Sequence, residues 1–196
     1  MSAYDWLMAP LEAAGLRTLR QLMLAHATGR VLEVVAGTGA NLGFYPVGCQ
    51  LTLTDPIGDN LRIALNKAPP GSRLCIVRSS GEELPFASQS FDTVVATLTL
   101  CSVARPQAAL QEVARVLQPG GQLLLLEHVR GGPLLGWLQD LATPAWKLLA
   151  GGCHLNSATA ATVVAAGFIP RYERTMLLSV MLFGLYTLPA NDHRGA

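Results

Sequence analysis

Ten consecutive residues constrain this chain more than any others: Arg30-Val31-Leu32-Glu33-Val34-Val35-Ala36-Gly37-Thr38-Gly39. The first half is a β-branched, apolar run that suits a buried strand, and the second half is a glycine turn. Gly37 and Gly39 let the backbone reverse sharply and approach a ligand with no β-carbon in the way. A strand that runs into such a turn, with a carboxylate just ahead of it, suits a small, charged, adenosine-containing ligand.

The rest of the chain fits a sheet built around that unit. Short β-branched or leucine-rich runs at Val31–Val35, Gln50–Thr54, Leu74–Arg78, Thr93–Thr97 and Gln122–His128 predict strands. Helices are predicted over Ile57–Asn66 and Pro106–Leu117, with a short turn of helix after Gly39. Such alternation means a parallel sheet covered on both faces, because each right-handed crossover needs a helix. Pro133–Leu149 and Ser157–Ala166 read as two further helices. Phe168–Met176 and Met181–Leu188 then close the chain as a hairpin, which puts one antiparallel strand near the C-terminus. The fold class is therefore α/β, a doubly wound, mostly parallel seven-stranded sheet. One domain is expected over 1–196, with an N-terminal lid helix over 1–28 and a cap insertion over 129–156.

Composition narrows the function classes. The chain is 51% hydrophobic and 14% charged, which argues against disorder. A net charge of +1 gives no reason to propose nucleic acid, which wants a concentrated basic surface. Cys49, Cys75, Cys101 and Cys153 lie far apart and form no C-x-x-C pair. They read as reduced thiols in a cytoplasmic protein, with no metal site. The oily stretch Met176 to Pro189 is too short to span a bilayer. Tyr4 to His26 carries Glu12, Arg17 and Arg20 and reads as one amphipathic helix, which leaves peripheral membrane contact open. No signal for an oligomeric state is present.

Ligands of doubly wound sheets bind beyond the carboxyl ends of the strands, so the residues there are the candidates. A dinucleotide is disfavoured at Gly37–Gly39, because Asn41-Leu42-Gly43-Phe44-Tyr45-Pro46 leaves barely a turn of helix to receive a pyrophosphate. Asp55, followed by Pro56, ends the second strand and can accept both ribose hydroxyls of an adenosine; alternatively it caps the following helix. Ser80-Gly81-Glu82 follows the third strand and would face an adenine edge.

Several motifs in order carry a resemblance. Leu84-Pro85-Phe86 followed by Ser90-Phe91-Asp92, and Arg115-Val116-Leu117-Gln118-Pro119-Gly120-Gly121, resemble signatures of class I S-adenosylmethionine-dependent methyltransferases, a Rossmann-like fold. Within the class, the chain is similar to the ubiquinone/menaquinone and phospholipid methyltransferase type. It is closer to the small methyltransferase-like alkyl-thiol methyltransferases, through Gly37-Thr38-Gly39-Ala40-Asn41, Phe44-Tyr45-Pro46, Leu100-Cys101-Ser102-Val103, Glu127-His128-Val129, Pro144-Ala145-Trp146 and Gly152-Cys153. The resemblance implies S-adenosylmethionine as cofactor and S-adenosylhomocysteine as product. It implies that Glu33 and the turn from Gly37 to Gly39 hold the methionine part and Asp55 the ribose, with Val35, Ala36, Asn41 and Pro56 also against the cofactor. Ser80, Gly81 and Glu82 would meet the adenine. Thr97, Leu98 and Cys101 would lie near the sulfonium, and Tyr4 would close over the cofactor carboxylate.

Two departures stand out: the family usually has glycine at position 35 and often aspartate at position 80. One reading is that Val35 continues the strand and the glycines alone make the turn; the other is a strained valine at a positive φ, at a cost of ~1–3 kcal/mol that loosens the cofactor grip. The implied reaction moves a methyl group to a small, apolar thiol, hydroxyl or lipid-like acceptor by in-line displacement. His128 and His154 are the candidate bases, and Trp137 and Trp146 the candidate pocket walls. The alternative is a degenerate relative that keeps the fold and serves as a binding or assembly subunit.

Overall fold

The computed structural model describes residues 3–149 and 152–190, with side chains described from Trp6 onward, Leu7 excepted. Tyr4, expected over the cofactor, thus has its side chain outside the described residues. The strands are β1 (Arg30–Val34), β2 (Gln50–Asp55), β3 (Arg73–Arg78), β4 (Phe91–Thr97), β5 (Leu117–His128), β6 (Ile169–Met176) and β7 (Met181–Thr187). They form one sheet in the order β3-β2-β1-β4-β5-β7-β6. β1 to β5 run parallel, and β7 lies antiparallel to both β5 and β6. The order reverses between β1 and β4, so a crevice opens where the turns leaving these strands diverge.

Helices α3 (Gly58–Lys67), α4 (Pro106–Val116), α5 (Pro133–Leu149) and α6 (Thr159–Ala165) lie within two residues of the expected bounds. The N-terminal segment differs. It divides into α1 (Ala3–Leu11) and α2 (Arg17–Leu24), because Gly15 takes φ 127 inside a wide turn at Glu12–Leu16. No L-side chain holds that backbone comfortably, so the amphipathic pattern continues while the axis does not. No described helix is long and apolar enough to cross a membrane.

Period-two alternation sorts the central strands between two apolar layers. Val31, Val95, Leu124 and Leu126 face the layer of α2 and α3, with Met23, Leu24, Leu61 and Ala64. Leu32, Val34, Val94, Ala96, Leu123 and Leu125 face the layer of α4 and α6, with Leu110, Val113, Val116 and Val163. Glu33 shares the face of Val31, and that parity aims its carboxylate toward α2. On α5, Leu134, Trp137, Leu138 and Leu141 remain exposed, so Trp137 walls no pocket.

The ordered sequence signatures prove to be clamps. The Arg115 guanidinium donates to the carbonyls of Phe86 (2.7 Å) and Leu84 (2.8 Å) and forks onto Glu112. Glu112 in turn accepts the Leu84 amide at 2.8 Å. Asp92 accepts the Arg30 amide at 2.8 Å and pairs with its guanidinium, which fixes the start of β1 against β4. Gly29 packs so closely there that a β-carbon would collide with the Asp92 carboxylate. Pro119-Gly120-Gly121 lets the chain loop out between Leu117, paired with Phe91, and Gln122, paired with Thr93.

A lysine cannot reproduce the planar fork of Arg115. Arg115→Lys should lower the unfolding free energy by ~1–3 kcal/mol in urea denaturation, while Arg62→Lys, on the exposed face of α3, should leave it within ~0.5 kcal/mol.

Candidate active site

Four turns leaving the carboxyl ends of parallel strands meet around a cavity of about 730 Å³. That size lies inside the range of roughly 300–1,000 Å³ common for small-ligand sites. The β1 turn supplies Val35, Ala36 and Gly37 to its wall, and β1 itself supplies Glu33. Asp55 and Pro56 come from β2, Ser80 to Glu82 from the β3 turn, and Thr97 and Leu98 from β4. The remaining wall is mostly apolar: Met8, Phe44, Val103 and Leu149, with Glu12 and Arg17 beside them.

The β1 turn is tighter than expected from the sequence. β1 ends at Val34, and Val35 takes φ 53, so valine itself begins the turn and does not continue the strand. A β-branched residue in this left-handed region is strained by ~1–3 kcal/mol. Its neighbours hold it there. The Ala36 amide donates to the Thr54 carbonyl at 2.8 Å, and the Gly37 amide donates to Asp55 Oδ2 at 2.9 Å. Packed directly against it, Gly81 leaves the room: a β-carbon there would lie 3.0 Å from Val34 Cγ1 and 3.4 Å from Val35 Cγ2. Gly37, at φ 58, would carry a β-carbon into open space, so its open side is toward solvent or a ligand.

Gly39 and Asn41 have different duties from those expected, for neither lines the cavity. A β-carbon at Gly39 would sit 2.6 Å from Leu42 and 2.9 Å from Ala64, so this glycine admits α3 against the turn. Asn41 is fully buried, with its amide group spent. Its nitrogen donates to Glu33 Oε1 (2.8 Å) and Thr97 Oγ1 (2.9 Å), while its oxygen accepts from Arg20 Nη1 (2.9 Å). Tyr45 donates to the other Glu33 oxygen at 2.7 Å, and Arg20 also pairs with Glu12 at 2.9 Å. Glu33 thus anchors a buried network joining β1, β4 and α2. Burial pushes its carboxyl up to about 7, against the hydrogen bonds of Tyr45 and Asn41. Burial and the neighbouring Glu33 hold the Tyr45 phenol well above its ordinary range.

Asp55 is 1% exposed, and three donors already reach it. Oδ2 takes the Gly37 amide; Oδ1 takes the Ile57 amide (2.9 Å) and the Asn60 side chain (3.1 Å). A carboxylate offers about four lone-pair positions, so Oδ2 keeps one free. Glu82 is engaged by Arg105, which lowers its carboxyl, chiefly through the Arg105 backbone amide at 2.7 Å.

Glu127 is a residue whose role sequence reasoning missed, although it stood within a quoted motif. It is fully buried, and it accepts the amides of Thr99 (2.8 Å) and Leu100 (2.9 Å) on Oε1 and of Cys101 (3.2 Å) on Oε2. Burial raises its carboxyl to about 7. The available signal was a lone carboxylate ending the apolar run Leu123–Leu126, which must find several donors. The clamp fixes the turn after β4, where Leu98 takes φ 56.

Neither candidate base reaches the cavity. His128 turns Nδ1 to Cys153 Sγ at 3.1 Å, and His154 turns Nδ1 to the Cys101 carbonyl at 3.0 Å. Cys101, expected near the sulfonium, is also off the cavity wall; its Sγ lies 3.3 Å from Cys153 Sγ. That contact holds the Cys101 thiol well above its ordinary range. The same contact, with His128 and the Trp146 indole, lowers Cys153.

Two measurements test this geometry. At position 35, Val35→Gly should be more stable than Val35→Ala by ~1 kcal/mol in denaturant unfolding, because alanine keeps the left-handed penalty and glycine does not. At position 33, a carboxyl raised from 4.5 to about 7 binds more protons folded than unfolded, so its contribution to stability falls as pH rises through that window. The stability of Glu33→Gln relative to the native chain should therefore increase between pH 5 and 7.5, by on the order of 2 kcal/mol. A pH-independent difference would contradict the burial of an ionising Glu33.

Comparisons with known proteins give the family and the fold. A family model described as a methyltransferase domain matches residues 32–125, from β1 into β5. Thiol S-methyltransferase TMT1B of Rattus norvegicus is 42% identical over 146 residues, covering 70% of this chain and 59% of that protein. Its Homo sapiens counterpart is 39% identical over 177 residues, covering 81% of this chain and 72% of that protein. The chain thus spans about three fifths of the rat relative's length. An S-adenosylmethionine-dependent methyltransferase structure from Thermotoga maritima superimposes with a TM-score of 0.68 at 19% identity, covering 94% of this chain and 97% of that one, a likeness of fold. The chain belongs to the S-adenosylmethionine-dependent methyltransferase family.

Proposed function

We propose that this protein transfers a methyl group from S-adenosylmethionine to small, apolar thiols. The observation that carries the acceptor class is that the cavity joins a polar cradle to an apolar wall and, among its described lining residues, offers no histidine and no acid without a hydrogen-bond partner. Among the described residues, the acids that line it are Glu12, Glu33, Asp55 and Glu82. Each is already engaged, by Arg20, by Asn41 and Tyr45, by three donors, and by Arg105. No histidine stands among the described lining residues. An acceptor must therefore bring its own acidity. A thiol, with a pKa near 8.5, does so; an aliphatic hydroxyl does not.

The residues present fit the cofactor. Gly37 leaves open space where a β-carbon would stand, and Asp55 keeps one acceptor position on Oδ2. Bound here, S-adenosylmethionine would supply a methyl group already activated by its sulfonium leaving group. Asp55 would accept a ribose hydroxyl at the position left on Oδ2. Ser80 and Gly81, which line the cavity, would border the adenine, and Thr97 and Leu98 would border the end shared with the acceptor. Met8, Phe44, Val103 and Leu149 exclude water from an apolar acceptor and align it for in-line attack. Arg17, its guanidinium 5.4 Å above the Phe44 ring, places positive charge beside a forming thiolate. The relatives named as thiol S-methyltransferases support this reading.

The strained backbone at Val35 favours a second reading, in which the fold serves as a binding or assembly subunit with a weak cofactor grip. Calorimetry with S-adenosylmethionine and S-adenosylhomocysteine separates the two: the enzyme binds both, and Asp55→Ala weakens binding at least tenfold. Labelled-methyl transfer should then rise with pH along a limb that follows the acceptor, reaching its plateau earlier for an aromatic thiol than for an alkyl thiol. A fixed limb near pH 6.5 for every acceptor would establish a protein base instead. Absence of binding by either cofactor form would favour the subunit reading.

A further inference from the structure

Beside the cavity, three soft ligand atoms converge from three separate loops. Cys101 follows β4, His128 ends β5, and Cys153 follows α5; all three are buried. Cys101 Sγ and Cys153 Sγ are 3.3 Å apart, His128 Nδ1 is 3.1 Å from Cys153 Sγ, and all three atoms lie within 4.8 Å of one another. Among the described residues this is the one group of three such side chains close enough to share an ion.

We propose that Cys101, His128 and Cys153 form a metal site that takes Zn²⁺. Zinc bonds of about 2.3 Å to sulfur and 2.0–2.1 Å to imidazole nitrogen, at near-tetrahedral angles, set ligand atoms roughly 3.5–3.8 Å apart. The two short edges of the observed triangle need to open by about half an ångström, and the third, between Cys101 Sγ and His128 Nδ1, to close from at most 4.8 Å by as much as about 1.2 Å. The backbone around the ligands is already fixed. Glu127 accepts the Cys101 amide, and the His154 amide donates to the Cys101 carbonyl at 2.7 Å, which ties the two cysteine loops together. The Trp146 indole nitrogen is buried with no hydrogen-bond partner among the described residues, and its ring packs edge-on to the His128 ring at 6.4 Å between centroids. It provides an N–H donor close to a thiolate-rich centre.

Charge selects the ion. Two thiolates and a neutral imidazole around a dication give a neutral centre, whereas a monovalent soft ion would leave a net negative charge buried beside the Glu127 carboxylate. Zn²⁺ displaces the thiol protons as it binds, and no electron transfer is involved. A disulfide would use only two of the three atoms and would leave His128 Nδ1 against a bond with no proton to share. The site would pin the turn after β4 and the segment after α5 together, beside Leu98, Ser102 and Val103 of the cavity wall.

The experiment uses the full chain, reduced and stripped with a chelator, and titrated with Zn²⁺ against a chromophoric competitor. One equivalent should bind, and Co²⁺ in its place should show thiolate charge-transfer bands in the near ultraviolet. Cys101→Ser, Cys153→Ser and His128→Asn should each weaken Zn²⁺ binding at least tenfold. Cys75→Ser, on the exposed β3 surface, should not. Circular dichroism identifies any variant that fails to fold, and Cys153→Ala then serves as a second replacement. The proposal is overturned by an absence of saturable binding, or by binding that survives all three substitutions. It is also overturned if peptide mapping shows a Cys101–Cys153 disulfide and the reduced protein takes no metal. The readout is metal content, so its failure is separable from failure of methyl transfer.

Discussion

Buried carboxylates at the carboxyl ends of parallel strands hold the rim of the cavity in shape. Glu33 near the end of β1, Asp55 at the end of β2 and Glu127 near the end of β5 are 3%, 1% and 0% exposed. A carboxylate out of water is costly unless donors surround it, so each forces neighbouring backbone amides or side chains to converge on it. Asp55 bends the β1 turn toward β2 through Gly37, and Glu127 gathers three successive amides after β4. Glu33 draws in Asn41 and Tyr45 and, through Asn41, the α2 arginine Arg20. The open crevice between β1 and β4 follows from sheet order, but these acids determine how its turns are shaped.

The cavity they frame is divided in chemistry. Its polar half is built from turns with few side chains in the way, and its apolar half from α1, the Leu42–Phe44 turn, the loop after β4 and the end of α5. Val35 sits on the boundary. Its left-handed backbone is tolerated because Gly81 gives its methyl groups room and because hydrogen bonds to β2 hold the next two amides. Valine there adds apolar surface at the point where a glycine would leave only backbone.

Much of this was legible in the residues. The alternation of β-branched runs with helical stretches marks the five parallel strands, because strand burial imposes composition locally, and two tightly joined runs mark the closing hairpin. Asp55, Ser80–Glu82 and Thr97–Leu98 could be placed around one site because each follows a strand of the same parallel sheet. The failures were of three kinds. The break at Gly15 hid inside a continuous amphipathic pattern, since hydropathy reports a face and not an axis. Val35 was expected in the strand because β propensity argues for it, and only the contacts of neighbouring elements override that preference. His128 and His154 were drawn toward the reaction because of their chemistry, but side-chain direction after a strand end is not encoded in spacing.

The sequence by itself determined the class of sheet and which candidate residues follow its strands, because these depend on short-range patterns: period two, glycine turns and carboxylates after strands. Tertiary structure decided which of those groups are spent. Asn41 became a buried hub, Glu127 a clamp, and Asp55 a carboxylate with one acceptor position left. It also decided that Cys101, His128 and Cys153, some 25 residues apart along the chain, meet within hydrogen-bonding distance of one another's sulfur. Such proximity depends on which loops a parallel sheet stacks at its carboxyl edge, a relation that chain spacing does not carry.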